Sequence, residues 1–323
     1  DIICRGVPFM GPIHMDGAVH SCAPPTKIEI IMVFTMLGEA PIRVAERPLL
    51  LCPPGLPAIS LKSMNVKKQL LYKSMRHSLV RIFFLFYVML LIGGVASYLL
   101  RGGPPANMAW TAPAFLLLAG AIVITTSSLS EIKVLLLGGI IGFISEVAGV
   151  YSSVIFSAYL YTDVLQPKLL EVPLVMISAW LVLVGYVRQM LRDCSHSMWL
   201  TLLYASTWMT AIDLVIDPLA GGVLDYWRWM ENGMYYGIPA HNFLGWFAVS
   251  LLIFYSIRGP VVKNAWAQGI GLSIILFFTA LSWIYGLILP GIIGILLCGL
   301  HILVAGREPP GRVFSRGVLS NSS

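Results

Sequence analysis

Residues 134–157 read VLLLGGIIGFISEVAGVYSSVIFS, an apolar run with a single charged side chain, Glu146. A helix needs about 20 apolar residues to cross the hydrocarbon core of a bilayer, so this run predicts a transmembrane helix. A carboxyl group inside hydrocarbon is costly unless it meets a partner or a cavity. Glu146 is therefore a candidate functional residue as well as a constraint on how this helix packs.

The composition of the whole chain agrees with this prediction. Hydrophobic residues make up 58% of the 323 residues and charged residues only 11%, far outside the range of soluble globular domains. Similar apolar runs recur along the chain, and we predict an all-α, polytopic membrane bundle of about eight transmembrane helices. The predicted spans are residues 79–100, 108–127, 134–157, 170–191, 198–216, 243–257, 267–288 and 290–305.

The basic residues after position 63 alternate between the two sides of these spans. Thirteen fall on the side of Met64 and three on the other, which predicts that both ends are cytoplasmic in a multi-pass protein of the cell (cytoplasmic) membrane. The thirteen are Lys67, Lys68, Lys73, Arg76, Arg81, Lys133, Arg188, Arg192, Arg258, Lys263, Arg307, Arg312 and Arg316; the three are Arg101, Lys168 and Arg228. Because this distribution explains the net charge of +6, we expect membrane lipids and no nucleic acid as partners.

The two ends of the chain differ from its middle. Residues 1–63 contain nine of the twenty prolines and three of the five cysteines, and we predict a poorly ordered segment there. The basic stretch that begins at Met64 favours a translation start at that residue. We assign residues 64–306 to a transmembrane catalytic domain and residues 307–323 to a cytoplasmic tail. The cysteines form no CxxC pair, so no metal site is predicted.

Glu146 belongs to a face of small residues on its helix. Gly138, Gly142, Glu146, Gly149 and Ser153 follow steps of three and four, which place them on one side of a helix. Small residues at this spacing are typical of helix packing in membranes. Packing explains the glycines but not a carboxyl among them, so we favour a functional Glu146.

A second polar stripe lies on the predicted fifth helix. Ser206, Thr210, Asp213 and Asp217 again follow steps of three and four, and the two carboxyls are about one turn, roughly 6 Å, apart. Two carboxylates this close in apolar surroundings are not expected to ionise together, which prepares a general acid beside a general base. Asp217 has an alternative interpretation as a helix N-cap, because Pro218 follows it. We favour Asp213 for chemistry and leave Asp217 open.

Aromatic residues and an amide follow these acids. An interfacial aromatic belt would explain part of this set, but not its concentration beside the carboxyls or the amide of Asn242 at the next helix entrance. Aromatic faces stabilise cations, so the arrangement suits a reaction that passes through a carbocation in an apolar substrate. The predicted substrate-binding residues are Trp227, Trp229, Tyr235, Tyr236 and Trp246.

Several motifs together resemble the carotenoid biosynthesis membrane protein family. They are Glu146 with Gly149, Phe156 and Tyr159; VPL at residues 172–174 with Trp180; DLVIDP at residues 213–218; and then WRW, YYGIP and NFLGW, ending at Trp246. The family includes hydratases of acyclic carotene ends, of the bisanhydrobacterioruberin and gamma-carotene hydratase type. The resemblance covers about residues 134–246, and the block from DLVIDP to NFLGW is its most specific part.

The resemblance implies that water adds across the terminal carbon–carbon double bond of an acyclic carotenoid end, with no metal or redox cofactor. Protonation of the less substituted carbon gives a tertiary cation, and a base then takes a proton from the incoming water. Under this hypothesis Asp213 or Glu146 donates the proton, and the remaining carboxylates, Asp217 among them, orient or deprotonate water together with Asn242. The carotenoid enters from the bilayer, and other carotenoid biosynthesis enzymes are candidate partners.

Two interpretations from other classes compete with this one. Acids inside a membrane also mark ion pathways, so a small transporter or proton-coupled carrier is an alternative. Against it, the DLVIDP block has no counterpart in the other half of the chain, as an inverted repeat requires. A non-catalytic assembly subunit for carotenoid enzymes is the second alternative.

Overall fold

The computed structural model describes residues 61–193 and 197–305, and this part of the chain is mostly helical. The chain divides into two compact units, residues 1–68 and 69–323, and only the start of the first helix is described in the former. The predictions for residues 1–60 and 307–323 lie outside the described residues. The helices are α1 (Leu61–Arg101), α2 (Thr111–Thr126), α3 (Leu129–Ser152), α4 (Val175–Met190), α5 (Met198–Gly222), α6 (Ala240–Ser256), α7 (Ala265–Ile284) and α8 (Ile288–Ala305).

The membrane character of the fold is confirmed. Among the described residues, five helices are long and apolar enough to cross a membrane: α1 from Ser74 onward, α3, α5, α7 and α8. The helices α2, α4 and α6 are apolar but shorter, at 16 or 17 residues. The structure therefore shows an all-α membrane helical protein, while the orientation of its ends stays a prediction.

Several predicted helix ends are wrong, including the start of α4 at Val175 instead of residue 170, and two of the differences bear on the site. α3 ends at Ser152 and not at residue 157, because Ser153 adopts a left-handed conformation with φ 54° and its N–H closes the helix on the carbonyl of Gly149. Ser153 is exposed and does not share the buried face of Glu146. α5 runs past residue 216 to Gly222, so Pro218 lies inside a helix and the interpretation of Asp217 as a helix N-cap is wrong.

A tyrosine makes the proline inside α5 tolerable. Pro218 has no N–H, so the carbonyl of Leu214 loses its partner in the helix. The hydroxyl of Tyr235 donates to that carbonyl at 2.8 Å. This bond is an observed structural role for Tyr235, which the sequence analysis assigned to substrate binding.

Short strands, which the sequence analysis did not predict, join the helix connections at one end of the bundle. β1 (Tyr159–Tyr161) precedes α4 and pairs antiparallel with β4 (Trp227–Trp229), which precedes α6. The register sets Tyr159 opposite Trp229 and Tyr161 opposite Trp227, so these four rings share one face, because side chains alternate along a strand. A second antiparallel pair, β2 (Lys168–Leu169) and β3 (Val172–Pro173), lies between β1 and α4.

Close packing of α3 against α4 depends on Gly142. A Cβ atom at Gly142 would lie 2.3 Å from Cγ of Trp180, which is fully buried. The indole of Trp180 can reach Glu146, one turn further along α3, only because this position has no side chain. The small-residue face of α3 therefore serves packing and the placement of a polar group at once.

A buried ion pair joins the connections at the opposite end of the bundle. Nη2 of Arg188 lies 3.3 Å from Oε1 of Glu131, and both side chains are buried. Nη1 of Arg188 also donates to the carbonyl of Ile257 at 2.7 Å. Asn264 accepts hydrogen bonds from the first backbone N–H groups of α7 and donates to Ser127 at 3.0 Å. At this end of the bundle, the connections between helices are therefore held together by an ion pair and by helix capping.

The link between Pro218 and Tyr235 predicts a specific coupling. Tyr235→Phe should lower the free energy of unfolding by about 1 kcal/mol, because the carbonyl of Leu214 loses its donor while the ring is retained. In a Pro218→Ala background the helix supplies its own N–H, so the same change should cost less than half as much. Thermal unfolding of the detergent-solubilised variants measures both costs. Equal costs in the two backgrounds would show that Tyr235 does not compensate for the proline.

Candidate active site

The carboxyl of Glu146 is held by three side-chain donors. Its Oε2 accepts from the hydroxyl of Tyr159 at 2.5 Å and from that of Tyr161 at 3.0 Å, and its Oε1 accepts from Nε1 of Trp180 at 3.1 Å. Burial raises the pKa of Tyr159 and of Tyr161 well above the usual tyrosine value, and the negative charge of the neighbouring Glu146 raises it further. Both hydroxyls therefore stay protonated. The carboxyl of Glu146 is thus a hydrogen-bond acceptor that two tyrosines of β1 and one tryptophan of α4 hold in position.

A single amide connects the two aspartates of α5. Nδ2 of Asn242, in the first turn of α6, donates to Oδ2 of Asp213 at 3.0 Å and to Oδ2 of Asp217 at 2.7 Å. Nε1 of Trp227 donates to the other oxygen of Asp217 at 2.7 Å. Each of the two aspartates is only 1% exposed, and Asn242 is 2% exposed. The pair of acids is therefore enclosed and shares one donor, which links their charge states.

Glu146 and Asp217 face the same small cavity, which we call the acid chamber. Its volume is about 20 Å³, enough for roughly one water molecule, since a bound water needs about 10–15 Å³ by this measure. Its lining residues are Glu146, Phe156, Tyr159, Tyr161, Met176, Asp217, Trp227, Trp229, Asn242 and Trp246. The chamber combines two carboxyls and an amide with a wall of aromatic rings.

A much larger cavity of about 420 Å³, which we call the apolar cavity, adjoins the acid chamber. It lies among α1, α2, α4, α5 and α7, and the described residues that line it include no charged side chain. Met176, Trp227 and Trp246 line both cavities and form the wall between them. An apolar molecule in the larger cavity would thus be separated from the carboxyls by this wall alone.

The structure places the sequence-predicted residues in three different settings. Glu146, Asp217, Asn242, Trp227, Trp229 and Trp246 meet around the acid chamber. Asp213 lies behind Asn242, one hydrogen bond from the chamber. Tyr235 bonds to the backbone of α5, and Tyr236 is 42% exposed, with its hydroxyl accepting from the N–H of Leu289. No group of His, Cys, Asp and Glu residues in the described part of the chain has the arrangement of a metal site.

The three residues that donate hydrogen bonds to Glu146 were absent from the predicted set: Tyr159, Tyr161 and Trp180. Tyr159 and Trp180 belonged to the family motifs, but nothing in their local sequence showed that they would contact Glu146. A signal was present in the two-residue spacing of Tyr159 and Tyr161, which the spacing of Trp227 and Trp229 repeats. Aromatic residues with a period of two indicate a strand with one buried face.

A family model described as "Carotenoid biosynthesis protein" matches residues 109–301 of the chain. The matched region contains every residue of the acid chamber. No curated protein matches the chain. No solved structure matches it either.

The shared amide predicts a large cost for its removal. Asn242→Leu should lower the free energy of unfolding by at least about 1–3 kcal/mol, because it leaves buried acceptors of Asp213 and Asp217 without their donor. Asn232→Leu, the same change at an exposed position of the preceding connection, should stay within about 0.5 kcal/mol of the wild type. Thermal unfolding in detergent gives the comparison. Similar stability of the two variants would contradict the bridging role of Asn242.

Proposed function

The chain belongs to the carotenoid biosynthesis protein family, and we propose that it is a carotenoid hydratase, which adds water across the terminal carbon–carbon double bond of an acyclic carotenoid end. The observation that carries this proposal is the contact between the acid chamber and the apolar cavity. One compartment suits a long hydrocarbon and the other suits a water molecule between carboxyls. Hydration of an alkene requires that the hydrocarbon and the water molecule meet at the reacting double bond.

The apolar cavity supports a substrate that arrives from the bilayer. One of its walls is α1, whose 28-residue apolar segment from Ser74 to Arg101 is largely exposed and packs loosely on the other helices. A helix of this composition in a membrane protein faces lipid. In this proposal the apolar cavity holds one end of the carotenoid, and the rest of the carotenoid extends past α1 into the surrounding lipid.

We assign proton donation to Asp217. Asp213 and Asp217 share the amide of Asn242, and two neighbouring carboxylates in apolar surroundings repel, which favours retention of one proton by the pair. Asp217 is the member of the pair that faces the chamber. In the proposed step the π electrons of the terminal double bond take this proton at the less substituted carbon, leaving a tertiary cation and an Asp217 carboxylate.

Aromatic rings surround the place where the positive charge develops. Trp227, Trp229 and Trp246 line the chamber with Tyr159, whose ring centre lies 5.2 Å from that of Trp229. The faces of such rings attract cations electrostatically and need no covalent bond to do so. Stabilisation by the ring faces therefore suits a short-lived cation in the interval before water adds to it.

The water is assigned to the acid chamber, where Glu146 acts as the base. Glu146 is ordered by its three donors and lines the chamber. Nε1 of Trp229 is buried beside the same space and approaches Asp217, yet completes no hydrogen bond with normal geometry in the described part of the chain. It is available to orient the water oxygen, which bonds to the cation as Glu146 takes the released proton. Return of that proton to Asp217 completes the net addition of one water and consumes no cofactor.

Pigment analysis in a host that makes a linear carotene tests the proposal. Wild-type protein should convert the carotene to an alcohol heavier by one water, detected by chromatography and mass measurement. Asp217→Asn and Glu146→Gln should each lower the yield at least about a hundredfold, because each removes one proton-transfer group. Asp163→Asn serves as the matched control, since the side chain of Asp163 is 91% exposed and ion-paired to Lys168 on the surface.

Membrane levels of each variant must be equal for the comparison to hold. Unchanged pigments despite wild-type expression would overturn the hydratase and favour an assembly subunit. Wild-type yield from Asp217→Asn together with loss of yield from Asp213→Asn would reverse the assignment of the donor within the pair.

A further inference from the structure

The wall between the two cavities consists of Met176, Trp227 and Trp246. For a substrate end to pass from the apolar cavity to the carboxyls, at least one of these side chains must move. Which one moves depends on what holds each of them in place.

The two tryptophans are anchored. Trp227 donates to Asp217 at 2.7 Å, and its ring meets the ring of Tyr161 edge to face at 5.8 Å. Trp246 stacks on Trp180 with ring centres 4.3 Å apart and an angle of 15° between the planes. Trp180 is in turn bonded to Glu146. Displacing Trp227 would remove a donor of Asp217, and displacing Trp246 would remove the ring that stacks on the donor of Glu146.

Met176 has no such anchor. It lies in the first turn of α4, is 6% exposed, and makes no hydrogen bond or ring contact among the described residues. An unbranched thioether with three rotatable bonds changes conformation easily in an apolar environment. Movement of Met176 opens the wall without disturbing the carboxyls, the amide or the stacked rings.

We propose that Met176 is the specificity-determining residue that admits a substrate end to the acid chamber and selects slender acyclic ends against ring-bearing ones. This inference rests on the proposed function, because it concerns the hydrocarbon end that the hydratase would take. A flexible side chain yields to a narrow chain end by rotating, whereas a ring needs the whole volume of the side chain. The width of the opening is therefore set by the residue at position 176.

Photolabelling tests the inference without relying on hydration. One probe is a linear isoprenoid hydrocarbon with a diazirine at its terminal carbon, and a second carries the diazirine on a cyclohexenyl end. After irradiation of the detergent-solubilised protein, peptide mass spectrometry locates the label. The peptides that carry Asp217 and Asn242 also contain residues that line the apolar cavity, Ile216, Ala220 and Trp246, so fragmentation of the peptides must assign the label to single residues. In the wild type, the linear probe should label Asp217 and Asn242 themselves, and the cyclic probe should label only residues that line the apolar cavity alone, such as those of α1 and α7.

Three variants separate the outcomes. Met176→Leu, of similar volume, should label as the wild type does. Met176→Phe should retain labelling of the apolar cavity and lose at least tenfold of the labelling at Asp217 and Asn242. Met176→Ala should admit the cyclic probe to the acid chamber. This widening variant keeps the test decisive if Met176→Phe fails to fold.

The inference is overturned if Met176→Ala still excludes the cyclic probe, or if folded Met176→Phe labels the chamber like the wild type. Failure of the proposed function gives a different result. In that case the wild type forms no alcohol in the pigment assay, while the variants still differ in where the probes attach.

Discussion

Around the acid chamber, three carboxyl groups lie buried among apolar helices, and the need to provide them with hydrogen-bond donors shapes the surrounding structure. Glu146 receives three donors, and Asp213 and Asp217 share Asn242. In apolar surroundings a carboxyl without donors would cost several kcal/mol, more than most single packing contacts supply. The aromatic residues with polar atoms, Tyr159, Tyr161, Trp180 and Trp227, meet this need while presenting apolar bodies to the neighbouring helices.

This demand explains why an all-helical membrane protein has a small sheet at one end. The pairing of β1 with β4 brings two connections together, although they are separated by the whole of α4 and α5. On a strand, alternate residues point to the same side, so four rings converge on one space. Helical segments would have spread these residues around an axis. The pairing also satisfies the backbone polar groups that the two strands turn toward each other, and unpaired groups of this kind are costly near the hydrocarbon region.

The helical period of the sequence predicted the bundle, the face of Glu146 and the stripe that carries Asp213 and Asp217, because each helix buries one side. The structure brings Asp217 and Asn242 together with Glu146 as a site, although the motifs lie far apart along the chain. The sequence did not predict β1 or β4, since a strand of three residues shows its period only once. The sequence also suggested a helix boundary at Pro218, which lies inside α5. The donor that replaces its missing N–H comes from Tyr235, 21 residues along from Leu214. Local sequence cannot show a compensation supplied by tertiary structure.

The separation of a large apolar space from a chamber of water size has a chemical consequence. A tertiary cation reacts with any nucleophile in reach, and it also loses a proton to any base beside it. If the whole cavity held water, charge stabilisation by the rings would weaken, because water would screen it. In the proposed reaction, a space of about 20 Å³ between Glu146 and Asp217 confines the water and so limits both the number of nucleophiles and the direction of attack. In the proposed reaction, the same carboxyls that require so many donors therefore also enclose the space where water meets a hydrocarbon end.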